Sequence, residues 1–390
     1  MDATWWIDAL RSPRGQALLE LLANESLATE AELGLITRLR RDYPAELVAA
    51  AITQARLRVR ARAKFSRADR MLFTQAGLEQ ASSERMAAAH AARFREYSSV
   101  ADLCTGIGGD LIALANGRSA LGVDLDPVHA RLAQINADVN GVGATASVVC
   151  ADATQLRLDD IQAAFVDPAR RSNDRRYRVG MSDPPLSWCT ALADRGVAVG
   201  IKAAPGLPED VVPDGWELEF VSERRELKES VLWSPRLTTA RRRATLLPEG
   251  LTMTDEENVQ LAVNAPGRYL LDPDPAVTRA GVVEGVGARL SERGDVWKID
   301  EQIAFLSADF PMDTPFGRTL RIEASMPWNL GKLREALRSL DVGSVDIRKR
   351  GSAVDVEEVQ KKLKLTGSRP ATVALTRAAG KPWMLVCFAP

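Results

Sequence analysis

The chain has 390 residues, 46% of them hydrophobic and 26% charged, with 51 Lys and Arg against 52 Asp and Glu. That balance is typical of a globular protein of two or three domains and excludes a disordered or fibrous chain. A net charge of −1 confines any nucleic-acid surface to a local patch. The cysteines, Cys104, Cys150, Cys189 and Cys387, have no Cys-x-x-Cys spacing, and the histidines are only His90 and His129. No zinc site, disulfide framework or Ser-His-Asp site is expected from them, and no metal is expected. No apolar run approaches the ~18 residues of a membrane span. The amino terminus has no basic start followed by an apolar stretch, so the expected location is the cytoplasm, without a membrane partner.

In chain order, residues 1–95 read as a helical region. Leu18, Leu19, Leu21 and Leu22 recur at helical spacing, as do Leu47, Ile52 and Leu57, and Pro44 suits the first turn of the later helix. From about residue 96 the pattern alternates. Strands are predicted at 100–103, 119–124, 145–151, 161–167, 197–203 and 216–222, with a helix over 127–140. Almost wholly apolar strands alternating with helices indicate a doubly wound α/β sheet with parallel strands buried on both faces. This domain is expected to span 96–250, with a softer boundary at 248–266. The region 251–390 reads as α+β, with strands at 318–325, 345–349, 371–377 and 383–388 and helices at 330–340 and 356–363.

The most informative stretch is Asp102-Leu-Cys-Thr-Gly106-Ile-Gly108-Gly109-Asp110, a glycine-rich turn between a strand and a helix. Such glycines let the backbone approach a ligand closely. A dinucleotide fingerprint would need a third glycine where Leu111 stands. Asp102, just before the loop, would repel a pyrophosphate but would suit a cation. The loop therefore fits S-adenosylmethionine, which carries an ammonium and a sulfonium and no phosphate, better than NAD. Asp124, 18 residues after Gly106, ends the next strand and can accept hydrogen bonds from ribose hydroxyls. Asp126, before Pro127, is read as a helix cap. Asp152-Ala153 ends the third strand, beside the expected position of an adenine. A simple turn aspartate is the other reading of Asp152.

The fourth strand ends at Asp167-Pro168-Ala169-Arg170-Arg171. Many amino-methyltransferases place Asp or Asn, two prolines and an aromatic here, so that the Asp and a proline carbonyl align an amine. Here the aromatic platform is missing, and Arg170 and Arg171 suit a phosphate or carboxylate. Asp183-Pro184-Pro185 looks nearer to that motif but follows no apolar strand, and its prolines are read as opening a helix through Trp188 and Leu192. Basic residues cluster at Arg170, Arg171, Arg175, Arg176 and Arg178, and again at Arg348, Lys349, Arg350, Lys361, Lys362 and Lys364.

Together these residues resemble a bacterial family of class I S-adenosylmethionine-dependent methyltransferases with a C-terminal THUMP-like domain. The resemblance rests on Leu78-Glu-Gln80-Ala-Ser82-Ser83-Glu84, residues 102–110, Asp167-Pro-Ala-Arg-Arg171, Glu226-Leu-Lys228-Glu229, Asp272-Pro-Asp-Pro-Ala-Val-Thr-Arg279-Ala280 and Lys362-Leu-Lys-Leu365. It covers most of 65–390. It implies a Rossmann-like core behind a helical region, with Gln80, Ser82 and Ser83 facing the cofactor pocket; a helix cap is the other, less favoured reading of Ser82 or Ser83. It implies S-adenosylmethionine as cofactor, held also by Asp102, Gly106, Gly108, Gly109, Asp110, Asp124, Asp152 and Ala153. Asp167 and Pro168 would be catalytic, with Arg170, Arg171 and Lys228 on the substrate. THUMP domains in related enzymes bind RNA, so the implied substrate is RNA, ribosomal or transfer. The alternatives are a small-molecule or protein methyltransferase and a non-catalytic RNA-binding protein with a degenerate cofactor site. A Cys104 nucleophile is not expected, because no thiolate motif surrounds it.

Overall fold

The computed structural model describes residues 4–23, 25, 29–170 and 182–390. Packing divides the chain into two compact units, Met1–Trp216 with Val231–Thr238, and Glu217–Ser230 with Thr239–Pro390. Among the described residues no helix is long and apolar enough to cross a membrane.

The first unit opens with α1 (Trp5–Arg11), α2 (Pro13–Ala23), α3 (Thr29–Leu39), α4 (Ala45–Ala61), α5 (Gln75–Gln80) and α6 (Glu84–Arg93). Leu18, Leu19, Leu22, Leu47, Ile52 and Leu57 meet in one core, whereas Leu21 faces out. That core also takes in Ile107 from the glycine loop. The buried Asn136 makes the connection specific. Its Oδ1 accepts from Leu72 N at 2.9 Å, and its Nδ2 donates to the carbonyls of Leu72 at 3.0 Å and Ile107 at 2.9 Å. A buried amide with this many partners is satisfied only when the helical region and the loop are both in place.

The alternating region follows as β1 (Ser99–Leu103), α7 (Gly109–Leu114), β2 (Ser119–Asp124), α8 (Pro127–Val139), β3 (Ala146–Cys150), β4 (Ala163–Val166), β5 (Ala169–Arg170), β6 (Ser182–Asp183), α9 (Leu186–Asp194) and β7 (Ala198–Ala203). Parallel strands run in the order β7-β4-β1-β2-β3. All four residues of β4 are buried, as double coverage by helices requires. Asp126 caps α8 through Val128 N, with Pro127 in the first turn, as its sequence position suggests. α9 follows Pro185, also as expected. The short β5 and β6 pair antiparallel, setting Asp183 opposite Ala169.

The second unit begins with β8 (Glu217–Glu223) and the first part of β9 (Glu226–Trp233), whose residues 231–233 belong to the first unit. Next come β10 (Arg242–Leu247) and β11 (Leu251–Thr254). Then follow β12 (Tyr269–Pro273), α10 (Pro275–Ala280), α11 (Val283–Ser291), β13 (Val296–Lys298), β14 (Leu306–Ala308), β15 (Gly317–Pro327), α12 (Leu330–Ser339), β16 (Val342–Lys349), α13 (Val356–Leu363), β17 (Arg369–Ala378) and β18 (Lys381–Phe388). A seven-stranded sheet runs β13-β14-β12-β15-β18-β17-β16. Leu333, Leu337, Val359 and Leu363 of α12 and α13 pack on one face against Val373, Leu375, Met384 and Val386. The sequence pattern located the last four strands and both helices. It missed β9 to β14 and the helices α10 and α11; β11, β13 and β14 have four residues or fewer, and β9 and β10 open on charged residues.

In the first unit, Gly200 of β7 lies opposite Phe165 of β4, and Trp233 fills the space above it. A Cβ at Gly200 would come within 2.4 Å of the Trp233 ring. Gly200→Ala is therefore expected to destabilise the protein by roughly 1–3 kcal/mol through overpacking. Chemical denaturation checks this, and an unchanged midpoint would contradict the close packing.

Candidate functional site

The glycine loop leaves the carboxyl end of β1. Gly106 and Gly108 adopt φ of 55° and 88°, a left-handed conformation that side chains resist. A Cβ at Gly106 would meet nothing within 4 Å, so the loop backbone there borders open space. At Gly108 a Cβ would come within 3.1 Å of Ala133 Cα on α8, so this second glycine serves close packing. Asp124 shapes the loop from the end of β2. Its Oδ2 accepts from Gly106 N at 2.7 Å and its Oδ1 from Asp126 N at 2.9 Å. Asp167 N donates to Leu103 O at 3.1 Å, which places that residue beside the end of β1.

Behind the loop runs a chain of polar groups, buried at Ser82, His90 and Asp110 and half-buried at Lys202 and Asp167. His90 Nδ1 lies 2.7 Å from Asp110 Oδ1, and Ser82 Oγ donates to Asp110 Oδ2 at 2.7 Å. Lys202 Nζ donates to Ser82 Oγ at 3.2 Å and to Asp167 Oδ2 at 2.8 Å. His90 also stacks on Phe165 of β4, with centroids 4.6 Å apart. Five residues from α6, the turn before it, α7, β7 and the residue after β4 are thus joined. The turn itself is held by Lys64, whose Nζ donates to the carbonyls of Leu78, Glu79 and Ala81.

Crowding of carboxylates governs the electrostatics. Burial pushes Asp102 well above the ordinary carboxyl range, and the charges of Asp110, Asp167 and Asp124 push it the same way; the Thr105 hydroxyl pulls against them. Burial alone would raise Asp110 too, but His90, Lys202 and Ser82 hold it below the usual range. Burial and the carboxylates of Asp124 and Asp167 raise the Cys104 thiol, the opposite of what an activated nucleophile needs.

The remaining sequence-derived candidates fall in several places. Gln80 is exposed at the end of α5. Ser83 caps α6 by accepting from Met86 N, so the capping alternative describes its side chain, while Ser82 beside it is buried in the polar chain. Gly109 opens α7, and a Cβ there would stand 3.1 Å from Ser82 O. Asp152 is exposed and accepts from the N–H and hydroxyl of Thr154, which lower its pKa, and Ala153 is buried behind it. Pro168 is half-buried beside Asp167. The backbone of Arg170 lies in β5, whereas Arg171, Arg175, Arg176 and Arg178 lie outside the described residues. Lys228 belongs to the second unit and pairs with Glu226 at 2.7 Å. Among the described residues no group of three or more His, Cys, Asp or Glu could hold a metal ion.

Sequence reasoning missed Lys202 and His90. Lys202 did leave a signal, because it is the one charge in the apolar run Val197-Ala-Val-Gly-Ile-Lys202-Ala203 and lies at the strand end where the acids of the neighbouring strands gather. His90 left none, since its partner Asp110 is 20 residues away on another helix.

An uncharacterised S-adenosylmethionine-dependent methyltransferase of Mycobacterium tuberculosis, matched in two strains, is 37% identical over 316 residues, covering 78% of this chain and 84% of the relative. The chain belongs to the S-adenosylmethionine-dependent methyltransferases. A family profile described as THUMP domain-like matches residues 317–389, within the second unit, and one for a domain of unknown function matches 6–61. The crystal structure of a methyltransferase from Porphyromonas gingivalis W83 has the same fold. It superposes with a TM-score of 0.74 over 96% of this chain and 97% of its own, at 22% identity.

The residues of this methyltransferase suit its cofactor. Open space at Gly106 lets the backbone approach a ligand, and the donor set around it is carboxylate-rich, which matches a ligand carrying an ammonium and a sulfonium. The raised pKa of Asp102 also bears on stability. Between the ordinary carboxyl pKa and its folded value, the folded enzyme holds a proton that the unfolded chain has lost, so stability falls as pH rises through that window. Asp102→Asn removes this term and retains an acceptor for Thr105. Thermal unfolding of the ligand-free enzyme from pH 5 to pH 8 is expected to give a flatter profile and a higher Tm at pH 8 for the variant. A parallel pair of curves would show that Asp102 is ionised when buried.

Proposed function

We propose that the enzyme methylates RNA, with Asp167 accepting the hydrogen bond that orients the acceptor atom. The observation that carries the catalytic part is the Lys202–Asp167 ion pair at the carboxyl end of β4. Lys202 donates to Oδ2 and so fixes the orientation of the Asp167 carboxylate at the end of β4, where it can accept from the N–H or O–H of the acceptor. S-adenosylmethionine supplies the electrophilic methyl group on its sulfonium. The protein's task is then alignment and late acceptance of a proton, more than strong base catalysis. Asp124 and the loop backbone at Gly106 hold the cofactor's ribose side, with Asp152 and Ala153 toward the base. A cationic group of the cofactor would favour ionisation of Asp102, and the Ser82 turn with Gln80 and Ser83 lines the opposite wall. Pro168 contributes its carbonyl beside Asp167, and Arg170, Arg171 and Lys228 are the residues for substrate phosphates. The RNA part is supported by the THUMP domain-like match over 317–389, because such domains in related enzymes bind RNA.

Calorimetric titration with S-adenosylhomocysteine, followed by methyl transfer to RNA from a strain lacking the gene, tests both parts. Asp124→Ala should weaken binding about a hundredfold, the worth of two charge-assisted hydrogen bonds at roughly 1.5 kcal/mol each. Asp167→Asn should bind normally and lose transfer by about a hundredfold or more. Asp183→Ala should change neither. Normal cofactor binding with methyl groups appearing only on protein or small molecules would retain the enzyme and reject RNA.

A further inference from the structure

The second unit holds a basic cluster that the methyl-transfer chemistry does not use. Strands β8 and β9 are joined by the two-residue turn Arg224-Arg225, and both residues have positive φ, 52° and 65°. Turns of this geometry favour Asn-Gly, because an L side chain held left-handed costs free energy. Two consecutive arginines are therefore kept here against their backbone preference.

Arg225 reaches over β12. Its Nη2 donates to Asp272 O at 3.2 Å and stands 3.7 Å from Asp272 Oδ2, beyond hydrogen-bond distance. The Asp272 carboxylate is instead engaged by Arg350, at 2.9 Å and 3.3 Å from Oδ1. Arg318 on β15 donates to Thr372 Oγ1 at 2.8 Å, and its Nη2 is 3.7 Å from Asp346 Oδ2. Its Nε is buried without a hydrogen-bond partner. Arg348 on β16 lies 3.0 Å from the same Asp346 oxygen. Asp274, the other nearby carboxylate, caps α10 through Ala276 N. Partial burial lowers the pKa of Arg225, and the charges of Arg318 and Arg348 lower it further, against the pull of Asp272 and Asp274. The guanidinium groups of Arg225, Arg318, Arg348 and Arg350 thus outnumber the carboxylates of Asp272, Asp274 and Asp346, and Arg224 is exposed next to Arg225 in the turn.

A structural ion-pair network would bring each guanidinium within hydrogen-bond distance of a carboxylate. Here Arg350 and Arg348 are so placed, while Arg225 and Arg318 stand too far from their nearest carboxylates and one buried donor has no acceptor. The partly exposed guanidinium groups of Arg225 and Arg318, with no carboxylate within hydrogen-bond distance, present planar forks of donors that match a phosphate group. We propose that Arg224, Arg225, Arg318 and Arg348 form a phosphate-binding site on the second unit that takes the backbone of the RNA substrate. The RNA assignment rests on the function proposed above; the anion site rests on the arginine geometry.

The decisive variant replaces the turn by its preferred sequence, Arg224→Asn with Arg225→Gly, which removes two guanidinium groups while relieving the backbone. The full-length protein is titrated with fluorescein-labelled bulk transfer RNA, read by anisotropy between 50 and 300 mM salt. The expected variant has an unchanged or raised Tm and unchanged S-adenosylhomocysteine affinity. Its RNA affinity falls about fourfold per lost phosphate contact near 0.15 M salt, roughly fifteenfold for two, and the log–log salt slope becomes shallower by about 1.4. Arg348→Ala, at an ordinary β position, should lower the slope by about half as much. Wild-type affinity and slope in both variants would overturn the site while leaving RNA as substrate. If the wild type fails to bind RNA, calorimetry with tripolyphosphate separates the two readings. Binding that the double variant loses would retain the anion site and reject RNA; no binding to the wild type would reject both.

Discussion

The first unit is organised around the crowding of negative charge at the carboxyl ends of parallel strands. Asp102, Asp124 and Asp167 end three neighbouring strands, and Asp110 lies just inside the helix that follows the first. Carboxylates gathered in a partly dry space must be protonated, hydrogen-bonded or paired. Each solution occurs here. Asp102 is pushed toward its neutral form, Asp124 is spent on backbone N–H groups, Asp110 is paired with His90, and Asp167 is paired with Lys202. A cationic ligand would relieve the same crowding, which suits S-adenosylmethionine with its ammonium and sulfonium.

Lys202 links two parts of the candidate site. One proton of its ammonium reaches Asp167, just after β4, and another reaches Ser82, in the turn before α6. Ser82 passes the restraint to Asp110 and so to His90, whose ring stacks on Phe165 in the middle of β4. Asn136 completes the frame by tying the helical region to the glycine loop. The helices before the sheet are therefore part of the site's construction. Without them the turn at 80–83 would have no anchor and the loop would lose its buried partner.

The second unit follows a different logic. Its hydrophobic core is conventional, with two helices on one face of a mixed sheet. Its unusual features are electrostatic and conformational. Arginines from a hairpin tip and two strands converge where few acids answer them, and two of these arginines hold a backbone shape that glycine would adopt at lower cost. Strain retained at a surface position beside partly exposed arginines is the combination on which the proposed phosphate site rests.

Local sequence determined a good deal of this protein. The glycine loop, the acids at successive strand ends, the Asp126-Pro127 helix start and the apolar runs of the parallel strands each depend on residues a few positions apart, and all were legible. Tertiary structure alone decided that Lys202 meets Ser82, 120 residues earlier, that Asp110 is neutralised from α6, that Ser83 is a cap while its neighbour Ser82 is a link, and that Arg225 comes to stand beside Arg318 and Arg348. The physical reason is the order of the strands. Periodicity and capping act along the chain, whereas the charges that complete each site arrive on strands, helices and turns that are close in the fold and distant in sequence. Only burial of both sheet faces brings them within hydrogen-bonding reach.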